Sequence, residues 1–393
     1  MRGSPVTSPR AMLLGLVVLL AVSAASFGAA AAQDPQTVAA SLPLSYRAWT
    51  VDPGNGGAKV STAQLYMPLV VTLRPRPRLD LVLATGGAKT SSGPEGGTSS
   101  DVSGLAATSV QAFWRLRDER TMLQAGVGLP VGKRELDPAE FSIMQQVGLP
   151  VLGFRLKHYG HGGEVAAGAS RVLATSDRAT FSLAAGGILR GAYVLQAGQD
   201  KYRPASEWSL TAGADLGVPE TGSGSVPLKL DATFRRFGED EIGGTRVYRE
   251  GNQFEARVQT RTAYQGWRLQ ASALAVLKGA NEIFGPGGTA IAGLKASAGD
   301  AWFLRAGIEA PGAKRMQWGL ESEWNSISGS NLTGRDGWAL GAGPSVGLPI
   351  ADGTALRAQF LYLTGRLASP GGLPDATLRG WSAAIGFRWT PSS

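Results

Sequence analysis

The sequence predicts an all-β protein: a transmembrane, antiparallel, up-and-down β-barrel of about sixteen strands with one short helix in a long outer loop. Three observations point there. The chain opens on an export leader, later segments alternate apolar and polar residues with period two, and the links between segments alternate short and long. A membrane barrel needs long alternating strands, because each crosses tilted with one face on lipid and the other on the lumen.

The leader comes first. Arg2 and Arg10 precede the apolar run Ala11–Val22, and a small-residue tract ends in Ala30-Ala31-Ala32. A charged segment, a hydrophobic run too short to cross ~30 Å as a helix, and an A-x-A site predict a signal peptide, 1–32, cleaved after Ala32. Residues 33–43 are then expected as a periplasmic segment and 44–390 as the barrel. The 393 residues contain no cysteine, which excludes disulfides and a lipoprotein anchor. No later segment offers the ~20 apolar residues of a membrane helix. The mean hydropathy of -0.02 suits strands that average one apolar and one polar face. The net charge of +8 is dispersed, apart from "RPRPR" at 74–78. Without a basic stripe or a recognition motif, nucleic acid is not an expected partner.

The strands follow in order. In 110–117, Val110, Ala112, Trp114 and Leu116 oppose Gln111, Arg115 and Arg117. In 254–264, Phe254, Ala256, Val258 and Tyr264 oppose Glu255, Arg257, Gln259 and Arg261. Trp267, Leu269 and Leu277 oppose Arg268 and Gln270; Trp302, Leu304 and Ile308 oppose Arg305 and Glu309. Met316, Trp318, Leu320 and Trp324 oppose Glu321 and Glu323, and Phe360 and Tyr362 oppose Arg357 and Gln359. The last strand sets Trp381, Ile385, Phe387 and Trp389 against Arg388. A soluble sandwich also alternates, but its strands are typically ~5–6 residues, and it does not place Trp at the ends of apolar faces. The charged parity is therefore read as the lumen wall: Arg115, Arg117, Glu255, Arg257, Arg261, Arg268, Arg305, Glu321, Arg357 and Arg388.

Short links are expected at 117–120, 175–178, 263–266, 298–300 and 351–353. Long ones are expected at 89–104, 130–163, 190–205, 238–251, 326–336 and 366–376. The two kinds alternate as far as ~265 and then slip by one. About seventeen candidate strands result where barrels of this type have even counts, so sixteen is expected and fourteen is the alternative. The error is expected within 278–300 or at the first strand, 44–51.

Gly104-Leu105 and Leu129-Pro130-Val131-Gly132-Lys133 carry a resemblance. The stretch from Ser103 to Pro138 resembles a family of Gram-negative outer-membrane proteins labelled as components of a meta-cleavage phenol-degradation pathway. That family is similar in turn to fatty-acid and aromatic-hydrocarbon transporter barrels. Ala106-Ala107 stand where Gly-Asp is common, and Val131 where Thr is usual. The resemblance implies passive uptake of small hydrophobic or aromatic solutes. The expected partners are the lipid bilayer and its lipopolysaccharide, the barrel assembly machinery and the solutes themselves, with no cofactor.

Two alternatives stand beside transport. An enzyme, lipid- or peptide-hydrolysing, would use His158 and His161, with Glu164 or Asp137 as candidate partners. Two histidines without cysteine fall short of a zinc site, so no metal is expected. A structural barrel would transport nothing.

The stretch 130–163 is the exception to the alternation. Asp137 can cap a helix, Pro138 fits its first turn, Glu140 completes a capping box and Gly148 can end it. Phe141, Met144 and Val147 share a face, and Phe154 follows. Such a segment is too apolar to stand in water. It is expected to fold into the barrel mouth, with Phe141, Met144, Val147, Phe154, His158 and His161 forming a constriction or gate.

Overall fold

Alternation over a long segment forces a strand to bury one face and present the other. In lipid, such strands are stable only when the sheet closes on itself and leaves no unpaired edge. A computed structural model describes residues 37–389 except 107, 134, 160–161, 220–224, 297, 312–315, 332–335, 352 and 370–372. The expected leader, 1–32, lies outside the described residues.

Sixteen antiparallel strands form one closed barrel. In order they are β1 (Thr37–Asp52), β2 (Val60–Arg76), β3 (Leu79–Pro94), β4 (Ser100–Leu105 and Thr108–Arg115) and β5 (Thr121–Leu129). Then come β6 (Glu164–Thr175), β7 (Ala179–Arg190), β8 (Glu207–Pro219), β9 (Ser225–Phe237), β10 (Gln253–Tyr264) and β11 (Trp267–Lys278). The last five are β12 (Asp300–Glu309), β13 (Gln317–Ser328), β14 (Gly337–Ala351), β15 (Thr354–Leu367) and β16 (Ala376–Trp389). Both pieces of β4 pair with β3, so they count as one crossing. Closure comes from β1 and β16, which pair from Ala40↔Trp389 to Asp52↔Thr377.

The apolar parity points outward throughout. Trp114, Trp208, Trp267, Trp302, Trp318, Trp381 and Trp389 are exposed on it, with Phe254, Phe360 and Tyr362. Trp114, Trp267, Trp318 and Trp389 lie at the short-turn ends of their strands and Trp208 and Trp302 near the outer ends, as interfacial girdles would. Phe360, Tyr362 and Trp381 sit mid-strand. Tyr46 stacks on Trp381 at 4.6 Å across the closing seam. No helix among the described residues is long and apolar enough to cross a membrane.

Three sequence expectations need correction. The first strand begins at Thr37, not at 44, so most of the segment assigned to 33–43 is barrel wall. Pro43 sits opposite Gly386, and the ladder continues past it. The link 89–104 is mostly strand, because β3 runs to Pro94 and β4 starts at Ser100. The run 278–300 is not a barrel strand, and 298–300, expected as a short link, ends a long loop at the start of β12. Its strand pieces, Asn281–Phe284 and Ala290–Ala296, belong to a second sheet of six short strands. That sheet also takes Tyr193–Val194, Lys201–Arg203, Asp240–Ile242 and Thr245–Arg249 from neighbouring long loops. Removing this run from the barrel restores the even count.

Candidate functional site

The helix forms as its caps dictate. It spans Pro138–Val147 (α1), and Asp137 accepts from Glu140 N at 2.8 Å while Glu140 accepts from Asp137 N at 3.0 Å. Lys133 pairs with the buried Glu140, fastening the loop's entry to the helix. At that entry Gly132 has φ +106, and a Cβ there would lie 2.6 Å from the Leu105 carbonyl and 2.9 Å from that of Tyr159. Only glycine permits that approach. The two motif pieces, 104–105 and 129–133, therefore meet at the root of the loop.

The loop turns into the barrel. Ile143, Met144, Val147, Val151, Leu152, Phe154 and Tyr159 are buried, with Val147 at 0% exposure. They pack with Trp49 of β1, Val102 of β4, Ile327 of β13, Leu361 and Leu363 of β15 and Leu378 of β16. The inward parity of these strands turns apolar in their outer halves, which gives the loop a hydrophobic seat. Polar contacts fix its register. Leu152 O accepts from Trp49 Nε1 at 2.8 Å and from Arg47 Nη1 at 3.0 Å. Gln64 accepts from Arg155 N at 3.1 Å and Leu156 N at 3.0 Å, and donates to Leu156 O at 2.8 Å. Gln146 Oε1 accepts from Ser92 at 2.7 Å and Thr62 at 3.0 Å, and Tyr159 bonds Thr90. Arg47 also pairs with Glu323; both side chains are nearly fully buried, so the pair joins β1 to β13 across the lumen.

Below the loop, toward the short turns, the lumen opens into a cavity of about 900 Å³. Its walls come from β7 to β13 and β15 and from the turn before β7, and Arg155 is the loop's contribution. Six cations line it: Arg155, Arg178, Lys229, Arg261, Arg305 and Arg357. Four carboxylates face them: Asp177, Asp215, Glu321 and Glu323. Most of the carboxylates are already engaged. Glu323 is held by Arg47, Glu321 by Arg357, and Asp215 by Lys229 at 3.5 Å. Arg155, Arg261 and Arg305 have no ion-pair partner among the described residues. The lining of this cavity is therefore net positive. A second cavity of about 30 Å³ lies between Arg155, Arg47, Glu323, Gln359 and the wall, marking the seam where loop meets barrel.

The expected lumen residues divide by position. Arg261, Arg305, Glu321 and Arg357 line the large cavity. Glu255 pairs with Arg235 at 3.0 Å, Arg268 donates to Gln317 at 2.9 Å, and Arg115 pairs with Asp80 at 3.0 Å. Arg257 stands on β10 opposite Asp231, and Arg388 on β16 opposite Ser41. Arg117 is not a wall residue. β4 ends at Arg115, and Arg117 falls in the exposed turn where Asp118 accepts from Arg120 N at 3.1 Å and Thr121 N at 2.9 Å.

Of the expected gate residues, Met144, Val147 and Phe154 are buried between loop and wall, and Phe141 packs beside them half-buried. They grip the seat and face no open water. His158 is exposed on the loop, and His161 lies outside the described residues. The residue that sequence reasoning missed is Arg155, one position beyond Phe154. Its signal was a lone arginine ending an apolar run. Asp137, a candidate partner for a catalytic histidine, is committed to the helix cap. No three His, Asp or Glu side chains gather into a metal-binding group among the described residues.

No protein-family model matches the chain, and no curated protein matches it in sequence. Solved structures do share the architecture. An outer-membrane channel from Pseudomonas putida F1 is 11% identical over 93% of this chain and 98% of its own, with a TM-score of 0.37. OccAB1 from Acinetobacter baumannii is 10% identical over 91% and 97%, at 0.45. The monoaromatic hydrocarbon channel TodX, as a deltaS2S3 mutant, is 13% identical over 91% of both chains, at 0.44.

Proposed function

We propose that the protein is an outer-membrane channel for passive uptake of small solutes, with loop 130–163 as its internal constriction. The observation that carries this reading is the open, charged cavity inside a closed barrel, capped on one side by a loop seated within the lumen. A barrel with a purely structural role could fill its interior with side chains, whereas this one leaves an open cavity with a charged lining beneath the loop.

The narrow point in this reading is the seam beside Arg155, where about 30 Å³ of free space separates loop from wall. Met144, Val147 and Phe154 act as anchors that hold the loop there. The polar lining fits small aromatic solutes that carry a polar or charged group better than plain hydrocarbons. The outward faces of Phe387 and Trp389 on the last strand suit recognition by a barrel assembly machinery and placement in a bilayer faced by lipopolysaccharide. Cleavage after Ala32 belongs to the same proposal.

Liposome swelling tests it, with sugars, amino acids and benzoate as solutes, on the parent and on a variant lacking 134–157. The expected result is slow, size-limited swelling for the parent and faster, less selective swelling for the deletion. Equal, negligible swelling from both would refute a channel.

A further inference from the structure

We propose that the lipid-facing surface of the wall at β6 to β9 binds one phosphorylated glycolipid of the outer leaflet. Arg236 meets its phosphate, and one acyl chain fills a recess beside Trp208. The proposal rests on the channel reading for the membrane and for the outward direction of the long loops; conduction plays no part in it.

The recess follows from strand parity. Arg235 turns into the lumen to Glu207, so Arg236, the next residue of β9, faces lipid opposite Trp208 of β8. Cross-strand neighbours continue that row through Gly187 of β7 to Ala167 of β6. One step toward the short turns, Phe234 and Leu210 are followed by Ala185. Large side chains on two strands thus stand beside small ones on the next two, and the step leaves an apolar groove of about 530 Å³. The Trp208 ring reaches over Gly187, where a Cβ would come within 2.8 Å of it. With no chain in the groove, Trp208 and Phe234 would lack contacts along one side.

Arg236 also lines a second, polar cleft of about 300 Å³, formed with Arg249, Glu250, Asn252 and Glu282 from the long loops. Arg249 holds Glu282, and Lys278 holds Glu250 at 3.4 Å, whereas Arg236 has no ion-pair partner among the described residues. An arginine on the lipid parity is costly within the hydrocarbon and cheap at the headgroup layer, and Arg236 stands next to the last residue of β9. Polar cleft, lone cation and apolar groove therefore follow one another down the wall. That is the order of sugar, phosphate and acyl chain in a glycolipid. The guanidinium fork suits a phosphate, and the carboxylates and Asn252 offer acceptors to sugar hydroxyls.

Native mass spectrometry of the delipidated protein in detergent tests the site, with lipid A, the phosphorylated glycolipid anchor of lipopolysaccharide, as the probe. One lipid A per barrel should be retained. Binding should be about tenfold weaker in Arg236→Gln, which loses the charge-assisted contact, and in Ala167→Phe, which fills the recess. Arg171→Gln, on the parity of Ala167 but toward the short-turn end of β6, should leave binding unchanged. Ala167→Phe alters no charge and Arg236→Gln no packing in the groove floor, so either variant carries the test if the other fails to fold. Lipid A stripped of its phosphates binding as tightly, phosphatidylglycerol or inorganic phosphate displacing lipid A at equal concentration, or an equal loss in Arg171→Gln would each overturn the assignment. So would barrel dimers that form without lipid and dissociate in Ala167→Phe, because a second copy would then fill the groove. Lipid A binding without liposome swelling would keep the site and refute the channel; swelling without lipid A binding would do the reverse.

Discussion

Gly153 is the point at which the inward loop is most sensitive to a single methyl group. It ends the short 3-10 turn Pro150–Leu152 with φ +61, a left-handed conformation that costs an L residue ~1 kcal/mol or more. A Cβ at this position would fall on the Arg47 guanidinium and within 2.9 Å of Asn325 Nδ2. Arg47 has little room to yield, being buried and paired with Glu323. Gly153→Ala therefore displaces the Arg47 bond to Leu152 O, a hydrogen bond from a charged group worth ~1.5 kcal/mol at the low end. The combined cost is about 2.5 kcal/mol, which shifts the docked-to-released equilibrium of the loop by roughly 50- to 100-fold. Trypsin reads this directly, since Arg155 and Lys157 follow within the loop. When opening is fast relative to cleavage, the rate tracks the released population. Cleavage between 153 and 158 should accelerate by that factor in Gly153→Ala, with the thermal unfolding of the barrel itself little changed. Cleavage no faster than in the parent would refute the seat as described.

Further outcomes follow from the same contacts. Arg47→Met leaves Glu323 buried without its partner and should destabilise the barrel by ~3–5 kcal/mol, lowering its melting temperature, while Arg47→Met with Glu323→Gln should recover much of the loss. Gln64→Leu removes the three hydrogen bonds that clamp 155–156, so hydrogen exchange of those two amides should rise while the amides of β2 stay protected. In the outer sheet, burial and then the neighbouring Asp240 push the Tyr193 phenol up to about 12, and Tyr202 is raised further by the same causes. Both phenols are favoured in their protonated form on folding. Their contribution is whole below the ordinary value of 10.0 and is lost as pH rises through the folded value. Ultraviolet titration should therefore show Tyr193 ionising near 12, and Asp240→Asn should lower that value.

The barrel was legible because lipid enforces a strict parity. Trp302, Leu304 and Ile308 against Arg305 and Glu309 admit one orientation, and β12 adopts it. The same rule hid two features. Asn281–Phe284 and Ala290–Ala296 look like wall strands, yet they pair with each other and, through Asn281–Phe284, with Thr245–Arg249, in a sheet separate from the barrel. The loop's docking was half visible. Its apolar residues demanded a partner, and that partner was written in β15, where Leu361, Leu363 and Leu367 put carbon on the parity that should be wet. Trp49 on β1 says the same. A wall strand apolar on both faces marks where something other than water fills the lumen. The role of Arg155 was illegible because it depends on which neighbours are already paired, and pairing across a lumen has no signature in linear spacing.

The seat of the loop also sets an order of events. The loop leaves the chain between β5 and β6, but Trp49 and Arg47 lie 103 and 105 residues away from Leu152, and Asn325 lies 174 from Val151. Leu378 arrives with the final strand. Contacts so distant in sequence form late, because long loops must close before any of them is rewarded. The seat is complete only when β16 meets β1, because Leu378 and Trp49 come from those two strands. The inward loop is thus a late addition to a wall that is already complete, fixed by strands made both before it and after it in the chain.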